Sequence, residues 1–145
     1  IPRWMHFISK GEELSRRSYV ERKMRFTTEL PWPLSDRDVV ANFSVRQVEP
    51  TLTRISAVND PAAAHTADYV RIPQLNGRLD FRYFVETKEV EATYEIVMDP
   101  GGYIPGWAAN IVLKDTPYFT LLKLRRIVAE PKYQAFRSET FPFLW

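Results

Sequence analysis

The side chains that could do chemistry are few and scattered along the chain. His6 and His65 stand far apart, and neither belongs to a group of residues with the spacing of metal ligands. There is no Gly-x-Ser-x-Gly turn, and the Ser, His and Asp residues show no arrangement typical of a hydrolase triad. Gly101 and Gly102 lack the Gly-Lys-Ser/Thr context of a phosphate-binding loop. The sequence therefore predicts no enzyme, no bound metal and no cofactor.

The composition of the 145 residues is that of a globular protein with one core. Hydrophobic residues make up 45% and charged residues 26%, while aromatic residues reach 14%, which favours a bulky core or an aromatic-lined pocket. A net charge of +2, from 20 basic and 18 acidic residues, predicts no nucleic-acid partner. No cysteine is present, and no apolar run reaches the ~18 residues that cross a bilayer. We expect one domain over residues 1–145, soluble and cytoplasmic, although no pattern fixes the compartment.

Alternation of apolar and polar residues predicts a largely antiparallel sheet. In residues 39–45, for example, every second side chain is apolar and those between are polar, the pattern of a strand with one covered face. The same reasoning predicts further strands in the segments 18–30, 51–58, 69–72, 79–85 and 90–98. Asn76-Gly77 is a strong turn signal, and the short intervals between strands favour hairpins over helical crossovers.

Two segments show helical spacing instead. Residues 2–10 carry Trp4, Phe7 and Ile8 on one predicted face, so a short helix ending near Gly11 is expected. A longer apolar-faced helix is predicted from Pro105 to Val128. The aromatic residues after it predict either an ordered apolar strap or a frayed end: Phe136, Phe141, Phe143 and Trp145.

Three segments, taken in order, resemble the StAR-related lipid-transfer (START) family. They are residues 31–38 (PWPLSDRD), the pair Asn76-Gly77 followed by an aromatic-rich strand, and residues 99–110 (DPGGYIPGWAAN). The resemblance implies an α+β helix-grip fold, in which a curved antiparallel sheet wraps around a long C-terminal helix. It also implies an apolar tunnel that holds one sterol, phospholipid or similar lipid.

The family's domain also has an N-terminal helix and two or three strands ahead of the segment that corresponds to Trp4. The resemblance therefore implies that residues 1–145 are an N-terminally incomplete START-like domain. Without those strands we expect an unpaired sheet edge and a tunnel that lacks one wall.

In a helix-grip fold, part of the apolar faces must line the tunnel rather than form core. A lipid tail needs continuous apolar surface, because each buried methylene contributes ~0.8 kcal/mol. The predicted tunnel-lining residues are Phe43, Phe81, Tyr83, Tyr94, Ile96, Met98, Trp107, Ile111 and Leu122. Trp107, at the start of the helix, is expected to pack in the core or in the lid of the tunnel.

A few polar side chains are expected to fix the head group of the lipid. The candidates are Asn42, Ser44, Arg46 and Arg54, with Tyr94 also able to serve. Family members often keep a buried charged pair near the end of the tunnel. The position of its arginine, counted from Arg37 and Asp38, holds Phe43 in this sequence.

A second set of residues is predicted to be structural. Arg37 and Asp38 are expected to form an ion pair or a turn-stabilising network where a strand begins, with ligand contact as the minority alternative. Asp99, Gly101 and Gly102 are expected to form the tight turn from the last strand to the helix.

Trp32 lies between two prolines, on a stiff loop. An exposed tryptophan there suits a membrane interface, and packing back onto the helix is an equally weighted alternative. The partners predicted are a lipid ligand and, transiently, a membrane surface.

The function predicted from the sequence is binding of one lipid and its transfer between membranes. Two alternatives stay open. A polyketide cyclase or aromatase of the same architecture would need acid–base groups in its cavity. A lipid-responsive regulatory module would use ligand binding to change a partner surface.

Overall fold

The structure of the protein is a computed structural model, and it describes residues 4–134. Within these residues the chain forms seven strands followed by two helices. The strands are β1 (Ile8–Arg16), β2 (Glu21–Thr28), β3 (Arg37–Glu49), β4 (Leu52–Asn59), β5 (Val70–Arg71), β6 (Gln74–Phe84) and β7 (Glu89–Asp99). The helices are α1 (Gly106–Val128) and α2 (Pro131–Gln134). The predicted apolar strap of residues 131–145 lies mostly outside the described residues.

The strands form one curved sheet in the order β1-β2-β3-β4-β6-β7. Neighbours along this path are antiparallel, and the two-residue strand β5 adds to β3 in parallel. The sheet is thus built from successive hairpins, which matches the prediction made from the short intervals between strands.

Each strand gives the sheet two different faces, because successive side chains point to opposite sides. We call the side that faces α1 the inner face and the other side the outer face. On β3 the inner face carries Val39, Ala41, Phe43 and Val45, as the alternation predicts. Phe26, Val39 and Ile72 form a buried core cluster at one end of this face.

The first strand was not expected from the sequence, and the predicted helix over residues 2–10 is wrong. Residues 4–7 form turns, and β1 begins at Ile8. Phe7 has a φ of 62°, outside the helical region, and Gly11 pairs with Phe26 of β2 instead of ending a helix. The helical spacing of the apolar residues is overridden here by pairing with a strand that is distant in sequence.

The predicted turn at Asn76-Gly77 is also wrong. Both residues lie inside β6, where Gly77 pairs with Ala57 of β4 on one side and with Ile96 of β7 on the other. Ladder pairing on both sides outweighs the local turn preference of the dipeptide. The turn between β6 and β7 comes later, around Lys88, which has a φ of 57°.

Candidate ligand-binding site

An apolar cavity with a volume of about 580 Å³ lies between the inner face of the sheet and α1. This volume falls within the range of small-molecule sites in proteins, roughly 300–1,000 Å³. The wall runs along β3 from Arg37 to Val45, eight residues apart and so roughly 26 Å of strand at ~3.3 Å per residue. The wall therefore follows β3 over most of its length, and it also crosses the sheet from β1 to β7.

Helix α1 contributes one narrow stripe to the cavity wall. Val112, Thr116 and Thr120 line it at steps of four residues, the spacing that places side chains on one face of a helix. Thr120 is buried, and its Oγ1 accepts a hydrogen bond of 3.1 Å from the backbone N–H of His6. The turn before β1 is thereby attached to the helix.

His6 makes a second contact with α1 through its side chain. Its Nδ1 lies 3.2 Å from Nζ of Lys123, and its ring packs against Phe119 with the centroids 4.9 Å apart. The pKa of His6 is lowered by burial and by the positive charge of Lys123, while Asp115 acts in the opposite direction. The neutral imidazole, whose Nδ1 can accept a hydrogen bond from the ammonium of Lys123, is the form that suits this contact.

Four of the predicted tunnel-lining residues lie on the cavity wall. Phe43 of β3 and Tyr94, Ile96 and Met98 of β7 occupy the inner face. Burial raises the pKa of Tyr94, whose hydroxyl has no hydrogen-bond partner within residues 4–134. Contact between these side chains and a lipid stays a prediction.

The other five predicted tunnel-lining residues do not lie on this wall. Phe81 and Tyr83 have the right face of β6 but follow Leu79, where the strand passes beyond the end of the cavity. Trp107 and Ile111 line a small separate recess, and Leu122 lines neither space. The stripe of α1 that lines the cavity contains two threonines. It is therefore not the most apolar stripe of the helix, which is the one that the sequence predicted.

The polar head-group candidates lie on the outer face and not in the cavity. Asn42, Ser44 and Arg46 alternate with the wall residues of β3, so the two-residue repeat points them away. Arg54 forms a bidentate pair with Asp80 across the outer face, at 2.7 and 2.8 Å. This pair raises the pKa of Arg54 and lowers that of Asp80.

Arg37 and Asp38 are both buried, but they belong to opposite faces and do not pair with each other. Asp38 accepts two hydrogen bonds from Arg71, at 2.7 and 2.8 Å, and Arg71 also donates to the carbonyls of Ala63 and Ala64. The bond to Asp38 raises the pKa of Arg71. This buried pair ties β3 to β5 and to the loop before it, a structural role.

The turn from β7 to α1 depends on Asp99, Gly101 and Gly102. The carboxylate of Asp99 accepts a hydrogen bond of 2.9 Å from the N–H of Gly101. Both glycines have positive φ, 70° and 61°, and a Cβ at Gly101 would lie 2.5 Å from the carbonyl oxygen of Arg71. Glycine is therefore required at position 101 by both conformation and space.

Trp32 is 91% exposed, on the loop between β2 and β3. Its neighbours Leu30, Pro31 and Leu34 line the small recess together with Trp107. The loop therefore packs against the start of α1 while the Trp32 side chain itself faces solvent. Its contact with a membrane stays a prediction.

Several wall residues were not predicted from the sequence, because they are small or polar. Ala57 and Gly77 are neighbours across β4 and β6, between Phe43 and Ile96, and their small side chains leave space for the cavity. Thr116 and Thr120 escaped a search for apolar stripes. A Gly within an apolar strand was the available signal, since such a residue often marks a close approach or a space.

Residues 4–134 show neither a metal-binding cluster nor a helix suited to cross a membrane. No group of three or more His, Asp or Glu side chains is placed to hold a metal ion. None of the helices in this part of the chain is long and apolar enough to span a bilayer.

Comparison with known sequences gives limited matches. No protein-family model matches the chain. An uncharacterized protein of Pseudomonas aeruginosa is 31% identical over 99 residues, which cover 67% of this chain and 48% of that protein. The match therefore spans about half the length of the curated relative.

Comparison with solved structures gives consistent matches. A STAR-related lipid transfer protein of Xanthomonas axonopodis, solved as a fragment, superposes with a TM-score of 0.76 at 28% identity, covering 88% of this chain and 71% of that one. Human StAR-related lipid transfer protein 5 gives a TM-score of 0.70 at 15% identity, covering 86% and 61%. Human STARD10 gives 0.62 at 18% identity, covering 98% and 60%.

The match to the Xanthomonas protein spans most of both chains, and it includes the curved sheet and the C-terminal helix that the sequence predicted. The α+β helix-grip prediction is confirmed. The chain has the START-like fold of these lipid-transfer proteins.

Proposed function

We propose that this chain binds one lipid in the cavity between the sheet and α1 and transfers it between membranes. The observation that carries the proposal is the wall of that cavity, which is built mainly from aliphatic and aromatic side chains of six strands and α1. No Asp or Glu from residues 4–134 contributes to the wall. The lipid-transfer proteins of the same fold support this assignment.

The wall supplies the driving force that lipid binding needs. A chain of ten methylenes moved from water into the cavity would gain roughly 8 kcal/mol, before the costs of ordering the ligand are subtracted. No covalent step is required, so the proposed activity is binding and release without catalysis.

The same wall weakens the enzymatic alternative. A cyclase acting on a polar substrate would need a positioned acid or base. The titratable side chains that line the cavity are arginine, histidine and tyrosine: Arg22, Arg37, Arg78, His6, Tyr19 and Tyr94. None is a carboxylate, and the imidazole of His6 is engaged by Nζ of Lys123 at 3.2 Å, which favours a binding role.

Exposed aromatic side chains near one end of the cavity are suited to membrane contact. Trp32, Tyr103 and Trp107 are 91%, 83% and 50% exposed, and they belong to the loop and the helix start that border this end. Their amphipathic rings favour the interface between head groups and water. We propose that the protein contacts the membrane here when it takes up or releases lipid.

A substitution that fills the cavity tests the proposal. A Cβ at Gly77 would meet no atom closer than 3.9 Å, and Gly77 has ordinary strand geometry, so Gly77→Val should fold. Valine is favoured in strands, and its side chain would project into the middle of the cavity. We expect a melting temperature equal to or above that of the wild type, with bound lipid and vesicle-to-vesicle transfer both strongly reduced.

The matched control is Asn76→Val, which adds the same side chain to the exposed outer face one residue earlier. Lipid occupancy is measured by native mass spectrometry after incubation with vesicles, and transfer with labelled vesicles. Full occupancy in Gly77→Val would contradict a lipid site in this cavity. Occupancy without transfer in the wild type would instead favour a lipid-responsive regulatory module.

A further inference from the structure

Three arginines line the cavity, and they differ in how their charge is balanced. Arg22 pairs with Glu13 at 3.4 Å, and Arg78 pairs with Glu95 at 2.9 Å. Within residues 4–134, no carboxylate lies within ion-pair distance of Arg37. Arg37 is also the most buried of the three, at 3% exposure.

The hydrogen bonds of Arg37 leave its guanidinium partly unsatisfied. Nη1 donates to the carbonyl of Ser35, and Nη2 donates to the carbonyl of Tyr103 at 3.5 Å. Nε is buried and has no partner. An arginine carries five N–H donors, so most of its capacity is unused.

The acidic residues adjacent in sequence are engaged elsewhere. The carboxylate of Asp36 accepts a hydrogen bond from the backbone N–H of Leu30, and that of Asp38 is held by Arg71 on the outer face. Burial lowers the pKa of Arg37, and Asp36 only partly opposes this effect. A buried cation without a paired anion is costly unless a further partner is supplied.

The surroundings of Arg37 place this cation at one end of the cavity. Its contact with Tyr103 puts it beside the turn that leads into α1, and the first turn of α1 contains no acidic residue to complement the positive end of the helix dipole. From Arg37 the wall continues through Val39, Ala41 and Phe43, away from the charge. The cavity thus has one cationic end and an apolar body.

A second polar atom of the wall is also without a partner. Three buried side-chain nitrogen or oxygen atoms within residues 4–134 make no hydrogen bond, and two of them belong to cavity-lining residues, Nε of Arg37 and Oγ1 of Thr116. Native structures rarely leave buried polar groups unpaired. Two such atoms in residues of one wall point to a polar ligand group in this cavity.

We propose that the ligand of this cavity is an anionic amphipath, with a carboxylate or phosphate bound by Arg37 and its apolar chain lying along β3 toward Val45. The planar fork of an arginine matches both kinds of head group. This inference rests on the proposed function, since it names the class of lipid that the same cavity takes. The carbonyls of Ser35 and Tyr103 then hold the guanidinium in place while its remaining N–H groups bind the anion.

The test compares ligands with one chain and different head groups. Delipidated protein is titrated with oleate, oleyl phosphate and oleyl alcohol, and each displaces a neutral fluorescent lipid from the cavity. We expect at least one of the two anions to bind about tenfold or more tightly than the alcohol, the gain expected from one charge-assisted hydrogen bond. Which anion is preferred distinguishes a carboxylate from a phosphate ligand.

Arginine variants test whether Arg37 causes the preference for anions over the alcohol. Arg37→Met should bring the affinities of the anion and the alcohol together while retaining the alcohol. Arg82→Met, which removes a carboxylate-paired arginine that does not line the cavity, should keep the selectivity for anions. Circular dichroism and thermal melting check that each variant folds. If Arg37→Met does not fold, Arg37→Lys replaces it, because lysine keeps the charge but loses the fork, and a reduced selectivity is then expected.

The outcomes separate this inference from the proposed function. Equal binding of anions and alcohol by the wild type overturns the inference and leaves lipid binding intact. Selectivity that persists in a folded Arg37→Met variant also overturns it. Failure of all three ligands to displace the neutral lipid would count against the anionic site, and failure of the neutral lipid itself to bind would count against the lipid cavity.

Discussion

The outer and inner faces of the sheet balance their charges in different ways. On the outer face each of several arginines pairs with a carboxylate across neighbouring strands, as in Arg54–Asp80 and Arg71–Asp38. On the inner face most wall residues are apolar, and Arg37 is buried without an anion from residues 4–134. The charges of the outer face are thus balanced within the protein, whereas Arg37 on the inner face is where we propose that an anionic ligand binds. Under this proposal arginines have a structural role on one face and a binding role on the other.

Removing the most buried anion of the outer side should give the largest effect on stability. Asp38 is fully buried, and Asp38→Asn removes the carboxylate that pairs with Arg71. Breaking a buried pair by removing one partner costs about 3–5 kcal/mol. We expect a loss of that size in the free energy of unfolding, measured by urea denaturation.

The control for this change is Glu49→Gln. Glu49 pairs with Arg82 at 3.0 Å, but both side chains are about half exposed, so little change in stability is expected. Similar losses for the two variants would show that burial does not distinguish the ion pairs of the outer side.

The turn that carries the chain from β7 to the inner face should give the next largest effect. Gly101→Ala places a Cβ 2.5 Å from the carbonyl oxygen of Arg71 and forces alanine to a φ of 70°. Left-handed backbone costs ~1–2 kcal/mol and overpacking a similar amount, so a loss of about 2–3 kcal/mol is expected.

The matched variant is Gly102→Ala. Its φ of 61° imposes the same kind of strain, but the nearest atom to the new Cβ is a side-chain carbon of Val70 at 3.5 Å, an ordinary contact. We expect a loss of about 1 kcal/mol by thermal or urea unfolding. An equal loss in both variants would mean that the close approach of Arg71 contributes nothing.

The alternation of residues predicted the faces of the sheet well, and it predicted the individual wall residues less well. Phe43, Tyr94, Ile96 and Met98 share the covered face because strand geometry alone decides which side a residue takes. Phe81 and Tyr83 share that face too, but the cavity wall on β6 ends at Leu79. The position of that end depends on tertiary packing and cannot be predicted from the sequence of one strand.

The helix and the head-group region were harder to predict for a related reason. Hydrophobicity selected Ile111 and Leu122, whereas packing turns Val112, Thr116 and Thr120 toward the cavity. The polar candidates were chosen from the strands' polar faces, which are the outer ones. Arg37, the wall arginine that has no carboxylate partner within residues 4–134, is predicted from the sequence to be structural because it adjoins an acidic residue.

The smallest effect is expected at His6, which joins the segment before β1 to α1 on the inner side of the sheet. In the folded protein its pKa lies below the ordinary value of about 6.5, because burial and Lys123 disfavour the imidazolium. As the pH falls through about 6.5 toward the lower folded value, the unfolded chain takes up a proton that the folded chain does not. Stability should therefore fall with decreasing pH in this window and change no further once the folded form is also protonated.

The variant that isolates this effect is His6→Gln, which keeps a hydrogen-bonding side chain but does not titrate. Urea denaturation from pH 7.5 to pH 5 should show a smaller pH dependence of stability for this variant than for the wild type. Lys123→Met should reduce the effect, because the charge that opposes protonation of His6 is removed. A pH dependence that is identical in His6→Gln and the wild type would show that His6 does not cause it.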